Sequence, residues 1–171
     1  VLATGPISYE LGGWAPPWGI EYRIDALNAF VLFLVSGISA LVFPFAERSV
    51  AAEVDESKHH LFYACMLLCM TGMLGITITG DAFNIFVFLE ITSLSSYALI
   101  AMGRDRRALS ASFNYLVMGT LGGTAILIGV GLLLMQTGTL NIADLQVRLV
   151  GAHETSKTVL VALAFLTVGS S

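Results

Sequence analysis

The chain has 171 residues, of which 56% are hydrophobic and only 12% are charged. A water-soluble domain carries about twice that charged fraction, so the composition excludes an ordinary soluble fold and indicates lipid as the solvent. The formal net charge of −4 is small, and no run of basic residues predicts nucleic-acid binding. Cys65 and Cys69 lie four residues apart in one apolar segment and are predicted to be small apolar fillers, not a disulfide or metal site.

The order of apolar and polar segments predicts an all-α, polytopic transmembrane helix bundle. Residues 1–24 are predicted to form an extracytoplasmic loop whose aromatic side chains lie at the membrane interface. Residues 25–171 are predicted to be part of the bundle, and four segments are long enough to cross about 30 Å of hydrocarbon: 25–46, 61–79, 81–103 and 111–136. A fifth apolar run, 158–171, is too short to cross, and we expect the protein to continue beyond it.

The connections carry turn and capping signals. Gly80 suits the end of the second segment, and Asp81 suits the N-cap of the third, which predicts a tight hairpin between them. Ser110 is predicted to cap the fourth segment, and Pro44 is predicted to mark the exit from the first. The run 140–149 has apolar Leu140, Ile142, Leu145 and Leu149 with Asp144 and Arg148 between them, and it predicts a short surface helix.

Positive charges divide unequally between the two sides of the predicted bundle. The loops 47–60 and 104–110 hold five, whereas residues 1–24 and the loop 137–157 hold three. By the positive-inside rule, the first group of loops is predicted to be cytoplasmic. The fourth segment also carries Gly119 and Gly123, a spacing typical of close helix packing.

Glu90 is the candidate functional residue. It lies nine residues after Asp81 and thirteen before Gly103, which places it near the middle of the third span. A charged side chain at that depth costs roughly 2.5–3.5 kcal/mol, so the carboxyl group must be protonated, paired or wetted by a cavity. None of the four predicted spans contains Lys, Arg or His, so a counter-charge would have to come from elsewhere.

Two interpretations of Glu90 follow. Burial disfavours its charged form and a nearby cation favours it, so the group can act as a proton relay. It can also be a neutral glutamate that forms a hydrogen bond across a helix interface. Ser93 and Tyr97 lie on adjoining positions of the same helix and are predicted to give polar support.

No nucleotide-binding loop, cofactor motif or metal-ligand pattern is visible, so no cofactor and no metal are predicted.

The run around Glu90 resembles a known family. Gly80-Asp81-Ala82-Phe83-Asn84 and Ser93-Leu94-Ser95-Ser96-Tyr97 are similar to the fifth transmembrane helix of antiporter-like subunits, which occur in multisubunit Na⁺/H⁺ (Mrp-type) antiporters, in the membrane arm of respiratory complex I and in membrane-bound hydrogenases. Residues 5–14 and 22–28 resemble the D-type subunit of Mrp antiporters. The resemblance implies a fold of about fourteen helices, in which the four spans correspond to helices three to six and Glu90 pairs with a lysine on a broken helix seven.

The resemblance leads to one main functional prediction and two alternatives. The main one is a subunit of a monovalent cation (Na⁺)/H⁺ antiporter in the bacterial cytoplasmic membrane, which acts with other membrane subunits through a glutamate–lysine proton relay. The first alternative is a proton-pumping subunit of a redox-driven NADH-quinone oxidoreductase or hydrogenase-like complex, the only case in which the chain would belong to an enzyme. The second is a truncated fragment that serves as a structural transmembrane component of another complex.

Overall fold

The computed structural model describes residue 1, residues 5–151 and residues 156–170. In this part of the chain, two antiparallel strands precede six α-helices. The strands are β1 (Ile7–Glu10) and β2 (Glu21–Ile24), and the helices are α1 (Ala26–Glu53), α2 (His59–Ile78), α3 (Ala82–Ala101), α4 (Arg106–Thr137), α5 (Ile142–Gly151) and α6 (Lys157–Gly169). Helices α1 to α4 are each long and apolar enough to cross a membrane, which confirms the prediction of four such helices.

Helix α1 extends past the predicted end of the first span. The prediction placed the end at residue 46, just past Pro44, but α1 continues through Pro44 to Glu53. Proline removes one backbone donor and crowds the preceding turn, yet helices in membrane proteins tolerate it where neighbouring groups compensate. Pro44 therefore lies within α1 and does not end it.

The predicted cap of the fourth segment, Ser110, is wrong, because Ser110 lies inside α4. Asp105, just before α4, caps the helix instead: its Oδ1 accepts a hydrogen bond of 3.0 Å from the backbone N–H of Arg107. Its backbone carbonyl accepts a second bond, of 2.9 Å, from Ala108. An aspartate before a helix satisfies N–H groups that lack an intrahelical partner. Helix α4 accordingly runs from Arg106 to Thr137 and contains the predicted span, 111–136.

Two shorter helices follow α4. The predicted surface helix at 140–149 corresponds to α5, at Ile142–Gly151. The fifth apolar run, predicted at 158–171, corresponds to α6, at Lys157–Gly169, whose N-cap Ser156 accepts a hydrogen bond of 3.2 Å from Thr158 N–H. Residue 171 lies outside the described residues.

The chain forms two compact units. The first is drawn from Val1–Ala26, Ile78–Val87 and Thr120–Ser171, and the second from Leu27–Thr77 and Phe88–Gly119. In the first unit, the apolar core lies where α4, α5 and α6 meet, around Leu133, Val159 and Ala162.

In the first unit, Gly122 and Gly129 of α4 lie against the backbone of α6. A Cβ atom on Gly122 would lie 2.9 Å from the backbone oxygen of Gly169, and one on Gly129 would lie 2.9 Å from that of Ala162. Such distances leave no room for a side chain, so Gly122 and Gly129 allow the backbones of α4 and α6 to approach closely.

Two short segments of the first unit pair with each other and start two helices. In both Thr79–Asp81 and Thr139–Asn141, the threonine hydroxyl accepts a 3.3 Å hydrogen bond from the backbone N–H two residues later. The segments face each other antiparallel, with Ala82 N–H bonded to the Leu140 carbonyl and Ile142 N–H bonded to the Gly80 carbonyl, each at 2.9 Å. The result is a local pseudo-twofold junction from which α3 and α5 both begin.

Glu21 of β2 ties the strand pair to this junction. Its backbone carbonyl accepts a 2.8 Å hydrogen bond from Gly80 N–H. Its carboxylate accepts one bond of 2.5 Å from the Ser8 hydroxyl and another of 3.1 Å from the Asn141 side-chain amide. Asn141 is 4% exposed, and its Oδ1 also accepts a 3.1 Å bond from Asp144 N–H, so it caps α5.

Replacement of Asn141 should destabilise this junction in a way that separates its two roles. Asn141→Ala removes the cap of α5 and the bond to Glu21, at about 1 kcal/mol each. Asn141→Ser keeps a capping oxygen and should cost less. Asn141→Asp also keeps the cap, but it places a carboxylate where the amide now donates to Glu21, so it should be worse than Asn141→Ser. Thermal denaturation of the purified full-length protein checks this order of stabilities. Acidification that protonates the new aspartate should narrow the difference in melting temperature between Asn141→Asp and Asn141→Ser.

Arg148 of α5 forms an ion pair within its own helix and a hydrogen bond to the last residue of α4. Arg148 Nη2 lies 2.9 Å from Asp144 Oδ2, and Arg148 Nη1 donates a 2.7 Å hydrogen bond to the Thr137 carbonyl. The Arg148 guanidinium beside Asp144 holds the pKa of that carboxyl below its ordinary value, against the opposing effect of desolvation, and the Thr139 side chain acts in the same direction as Arg148. Asp144 therefore remains charged, and paired with Arg148, at neutral pH.

Candidate functional site

Helix α3 carries the candidate site and begins with the predicted cap. Asp81 is 7% exposed, and its Oδ1 accepts a 2.9 Å hydrogen bond from Asn84 N–H, which confirms it as the N-cap. Glu90 lies near the middle of this 20-residue helix, about 12 Å along the axis from Ala82 at the normal helical rise. Its side chain is half-buried within the described structure.

Helix α2 packs tightly against one face of α3. A Cβ atom on Gly72 would lie 2.8 Å from the backbone oxygen of Phe88 and would collide with the Thr92 hydroxyl. A Cβ atom on Gly75 would collide with the ring of Phe88. Both glycines are buried. The α3 face that carries Phe88 and Thr92 is therefore in close contact with α2.

Glu90 points away from that contact. It is two residues from both Phe88 and Thr92, and two residues correspond to about 200° around a helix. Tyr97 is seven residues after Glu90, almost two full turns, so it lies on the same side of α3 as Glu90, about 10 Å further along the axis.

Tyr97 is held by α4. Its hydroxyl occupies the space where a side chain on Gly119 would be, and its ring meets that of Tyr115 edge-on at 5.1 Å between centroids. Ser112 Oγ donates a 2.8 Å hydrogen bond to the Tyr97 carbonyl. Gly119 thus admits a tyrosine side chain, a role that the glycine spacing in the sequence could not distinguish from backbone packing. Tyr97 is 7% exposed, and the position of its ring is fixed.

The hydroxyl groups after Glu90 turn back onto their own helix. Thr92, Ser95 and Ser96 donate hydrogen bonds of 3.0, 2.7 and 2.8 Å to the carbonyls four residues earlier. Ser96 Oγ also lies 3.6 Å from Cys69 Sγ. These three donors are therefore occupied within the helix, and only their lone pairs can accept a further bond.

The Glu90 carboxylate has no hydrogen-bond or ion-pair partner within residues 5–151 and 156–170. Ser93 lies one turn further along α3 and is half-buried, and neither it nor Tyr97 contacts the carboxylate through a hydrogen bond in that part of the chain. The supporting roles of Ser93 and Tyr97 thus stay predictions.

Arg104 is an organising residue of the second unit that the sequence did not reveal. Its backbone N–H donates to the Glu53 carbonyl at 3.1 Å. Its guanidinium donates to the Ala52 and Val54 carbonyls, each at 3.0 Å, and to Asp55 Oδ1 at 3.2 Å. Arginine near a helix end can satisfy carbonyls that lack a partner, and here it caps the C-terminus of α1. In the sequence, Arg104 counted only as one positive charge of a loop.

Loss of the Arg104 side chain should loosen the segment that follows α1. The ion pair with Asp55 is about half exposed and contributes at most about 1 kcal/mol, so the larger effect should come from the two freed carbonyls. We expect Arg104→Ala, and to a lesser degree Arg104→Lys, to speed amide hydrogen exchange in residues 53–58. Arg48→Ala removes an exposed arginine of α1 and should leave that exchange unchanged.

Comparison with known proteins identifies the family. A family model described as "NADH:quinone oxidoreductase/Mrp antiporter, TM" matches residues 79–171, which include all of α3. The chain belongs to this family. Because members of this family are membrane proteins, the four long apolar helices are membrane spans, and the predicted class, an all-α polytopic transmembrane bundle, is confirmed. The resemblance to antiporter-like subunits is confirmed as well.

Individual relatives cover both branches of the family. The N subunit of NADH-quinone oxidoreductase from Desulforudis audaxviator is 44% identical over 168 residues, which is 96% of this chain and 32% of that protein. The D subunit of the Na(+)/H(+) antiporter from Bacillus subtilis is 32% identical over 168 residues, 98% of this chain and 34% of that protein. The solved Mrp complex from Dietzia sp. contains a similar chain, with a TM-score of 0.79 and 31% identity over 98% of this chain and 30% of that one. The chain thus spans about a third of the length of these relatives.

Proposed function

We propose that this chain is part of an antiporter-like subunit that moves protons in exchange for a monovalent cation, with Na⁺ as the first candidate. The observation that carries the proposal is the position of Glu90, a carboxylic acid near the middle of membrane-spanning α3, on the face turned away from α2. A buried carboxyl group that can gain and lose its proton is the element that a relay requires. The antiporter relatives and the resemblance around residues 80–99 support the same function.

In this mechanism Glu90 takes a proton when its charged form is least stabilised and releases it when a positive group approaches. Burial in a low-dielectric region penalises the carboxylate, and a cation nearby stabilises it. The family resemblance supplies the expected cation, the helix-seven lysine. Tyr97 and Ser93 would border the path, and the packing of Tyr97 against Gly119 would keep its ring in place.

The partners follow from the same reasoning. The Mrp structure that contains a similar chain is a complex, and the Bacillus subtilis relative is named as one subunit of an antiporter. We therefore expect this chain to act with other membrane subunits in a bacterial cytoplasmic membrane. The helix ends and loops that carry Arg48, Lys58, Arg104, Arg106 and Arg107 would face the cytoplasm.

A redox-driven proton pump is the second candidate, because the chain is 44% identical to the N subunit of an NADH-quinone oxidoreductase. Everted vesicles that contain the complete complex distinguish the two. For the antiporter, addition of Na⁺ or K⁺ should dissipate a preformed pH gradient, without any electron donor. Proton uptake that depends on an electron donor and a quinone, with no response to either cation, would reject the antiporter in favour of the pump.

A further inference from the structure

Four extended segments of the first unit lie side by side in one antiparallel array. Strand β1 pairs with β2 along its whole length. Tyr22 of β2 pairs with Thr79 on the other side, and Asp81, two residues further, pairs with Asn141. The segments that precede α3 and α5 therefore continue the sheet that the two strands begin. Strand β1 forms one edge of this array, and all four of its residues are exposed.

The backbone groups on the open edge of β1 belong to Ser8 and Glu10. Leu11 N–H donates a 3.0 Å hydrogen bond to the Ile20 carbonyl, toward β2. The direction of hydrogen bonding alternates from residue to residue along an antiparallel strand, so the N–H and C=O groups of Ser8 and Glu10 point away from β2. Glu21, opposite Glu10, follows the same alternation, because its carbonyl accepts a bond from the next segment of the array. Within residues 5–151 and 156–170, these outward groups of β1 have no backbone partner.

The open edge lies where another chain can reach it. The array includes Asp81, the cap of α3, so it lies at the end of a membrane span and not within the span. Unpaired N–H and C=O groups on an edge strand are a template for another strand, and they are tolerated only outside the hydrocarbon. Pro6 precedes β1 and Glu10 ends it, and both residue types discourage unselective pairing at a sheet edge. A strand that pairs here must therefore complement Glu10.

The charge on this edge is negative and incompletely matched. Glu10 and Glu21 lie directly opposite each other in the register of the two strands, and like charges in that position are destabilising. The Glu21 carboxylate accepts hydrogen bonds from Ser8 and Asn141. The Glu10 carboxylate has no hydrogen-bond or ion-pair partner in the part of the chain that the structure describes. The basic residue of the strand pair, Arg23, lies opposite Ser8 and not opposite Glu10. A lysine or arginine on an added strand would supply the missing charge beside Glu10.

We propose that the open edge of β1 binds an extended segment of another subunit of the complex, which adds a strand to the array and places a lysine or arginine beside Glu10. Backbone hydrogen bonds to Ser8 and Glu10 would hold the segment, and the charge pair would select it. A second copy of this chain fits less well, because Glu10 is the one charged residue of β1 and a second β1 would bring another acidic edge. This inference rests on the proposed membership of a multisubunit complex, but not on proton transfer through Glu90.

Photo-crosslinking tests this surface in the purified complete complex. Tyr9, in β1, is 65% exposed and is replaced by the photoreactive residue benzoylphenylalanine, which keeps an aromatic ring at that position. Cross-linked peptides are located by mass spectrometry. We expect one segment of one other subunit, with a lysine or arginine within a few residues of the cross-link. In the same complex, the backbone amides of Ser8 and Glu10 should exchange slowly with solvent, because the added strand would accept their hydrogen bonds.

Reversal of the charge at Glu10 makes this result specific. Glu10→Lys should lower the cross-link yield and speed the exchange of the two amides by roughly fivefold or more, and Glu10→Gln should have a smaller effect. Loss of folding does not explain such a result, because a lysine opposite Glu21 replaces a repulsive pair with an attractive one within the hairpin itself. The matched control is Glu56→Lys, which reverses an exposed glutamate in the loop before α2 and should leave both measurements unchanged.

Three outcomes would overturn the proposal. One is cross-linking to lipid alone, together with fast exchange of the Ser8 and Glu10 amides. Another is cross-linking between two copies of this chain. The third is a cross-link to another subunit whose yield Glu10→Lys leaves unchanged. Cation–proton exchange is measured on the same preparations, so a complex that exchanges ions but lacks the expected cross-link would refute the strand pairing and leave the proposed function standing.

Discussion

Glu90→Gln should abolish cation–proton exchange by the complete complex while leaving its assembly intact. Glutamine has nearly the same shape as glutamic acid and keeps a polar end, but it cannot bind and release a proton under these conditions. Removal of a group that transfers protons commonly costs about 10²- to 10⁴-fold in rate. We therefore expect exchange in everted vesicles to decrease to the background of vesicles without the complex.

Two further variants make this result specific. Glu90→Asp keeps an ionisable carboxyl group on a shorter side chain and should retain part of the exchange. Glu56→Gln neutralises an exposed glutamate in the loop before α2 and should behave like the natural protein. If Glu90→Gln exchanged cations at the natural rate, the proposed relay through this residue would have to be abandoned.

Gly72→Ala should lower the thermal stability of the protein, and by more than Gly37→Ala does. The added methyl would meet the backbone oxygen of Phe88 and the hydroxyl of Thr92. A backbone oxygen cannot move aside as a flexible side chain can, so α2 and α3 would have to separate. Overpacking of this kind typically costs about 1–3 kcal/mol. The apparent melting temperature of the purified complex is the measurement.

Gly37→Ala is the matched control. Gly37 also lies in a transmembrane helix of the second unit, α1, but no atom lies within 4 Å of the position where its Cβ would be. Alanine favours helix over glycine by about 1 kcal/mol in water, so this substitution should leave stability unchanged or increase it. Equal effects of Gly72→Ala and Gly37→Ala would show that Gly72 is not a contact point between α2 and α3.

Much of the candidate site could be predicted from local sequence. The depth of Glu90 follows from counting residues between Asp81 and Gly103, because helical rise is constant. The cap at Asp81 could be predicted because aspartate is a preferred N-cap residue and Asp81 directly precedes the apolar run of α3. The structure confirms this cap. Whether Glu90 is ionised, and what pairs with it, depends on groups that no local pattern identifies, so the relay remains a prediction that the variants above test.

The helix ends were less predictable. Pro44 is a strong local signal for a helix end, yet α1 continues past it to Glu53. There Arg104, about fifty residues later, satisfies the carbonyls of Ala52 and Val54. A helix end of this kind is decided by a distant residue, whereas hydropathy and capping preferences describe only neighbours in sequence.

By itself, the sequence determined that the chain crosses a membrane, where its apolar helices lie and that one of them carries a carboxylic acid at mid-depth. These properties depend on composition and on the constant rise of a helix. Only the tertiary structure decided that Gly72 and not Gly119 lies against a helix backbone in the second unit, and that Glu21, hydrogen-bonded by Asn141, accepts a bond from Gly80 just before α3. Glycine and amide side chains fit many environments, and which neighbour each one meets is set by packing between segments far apart in the chain.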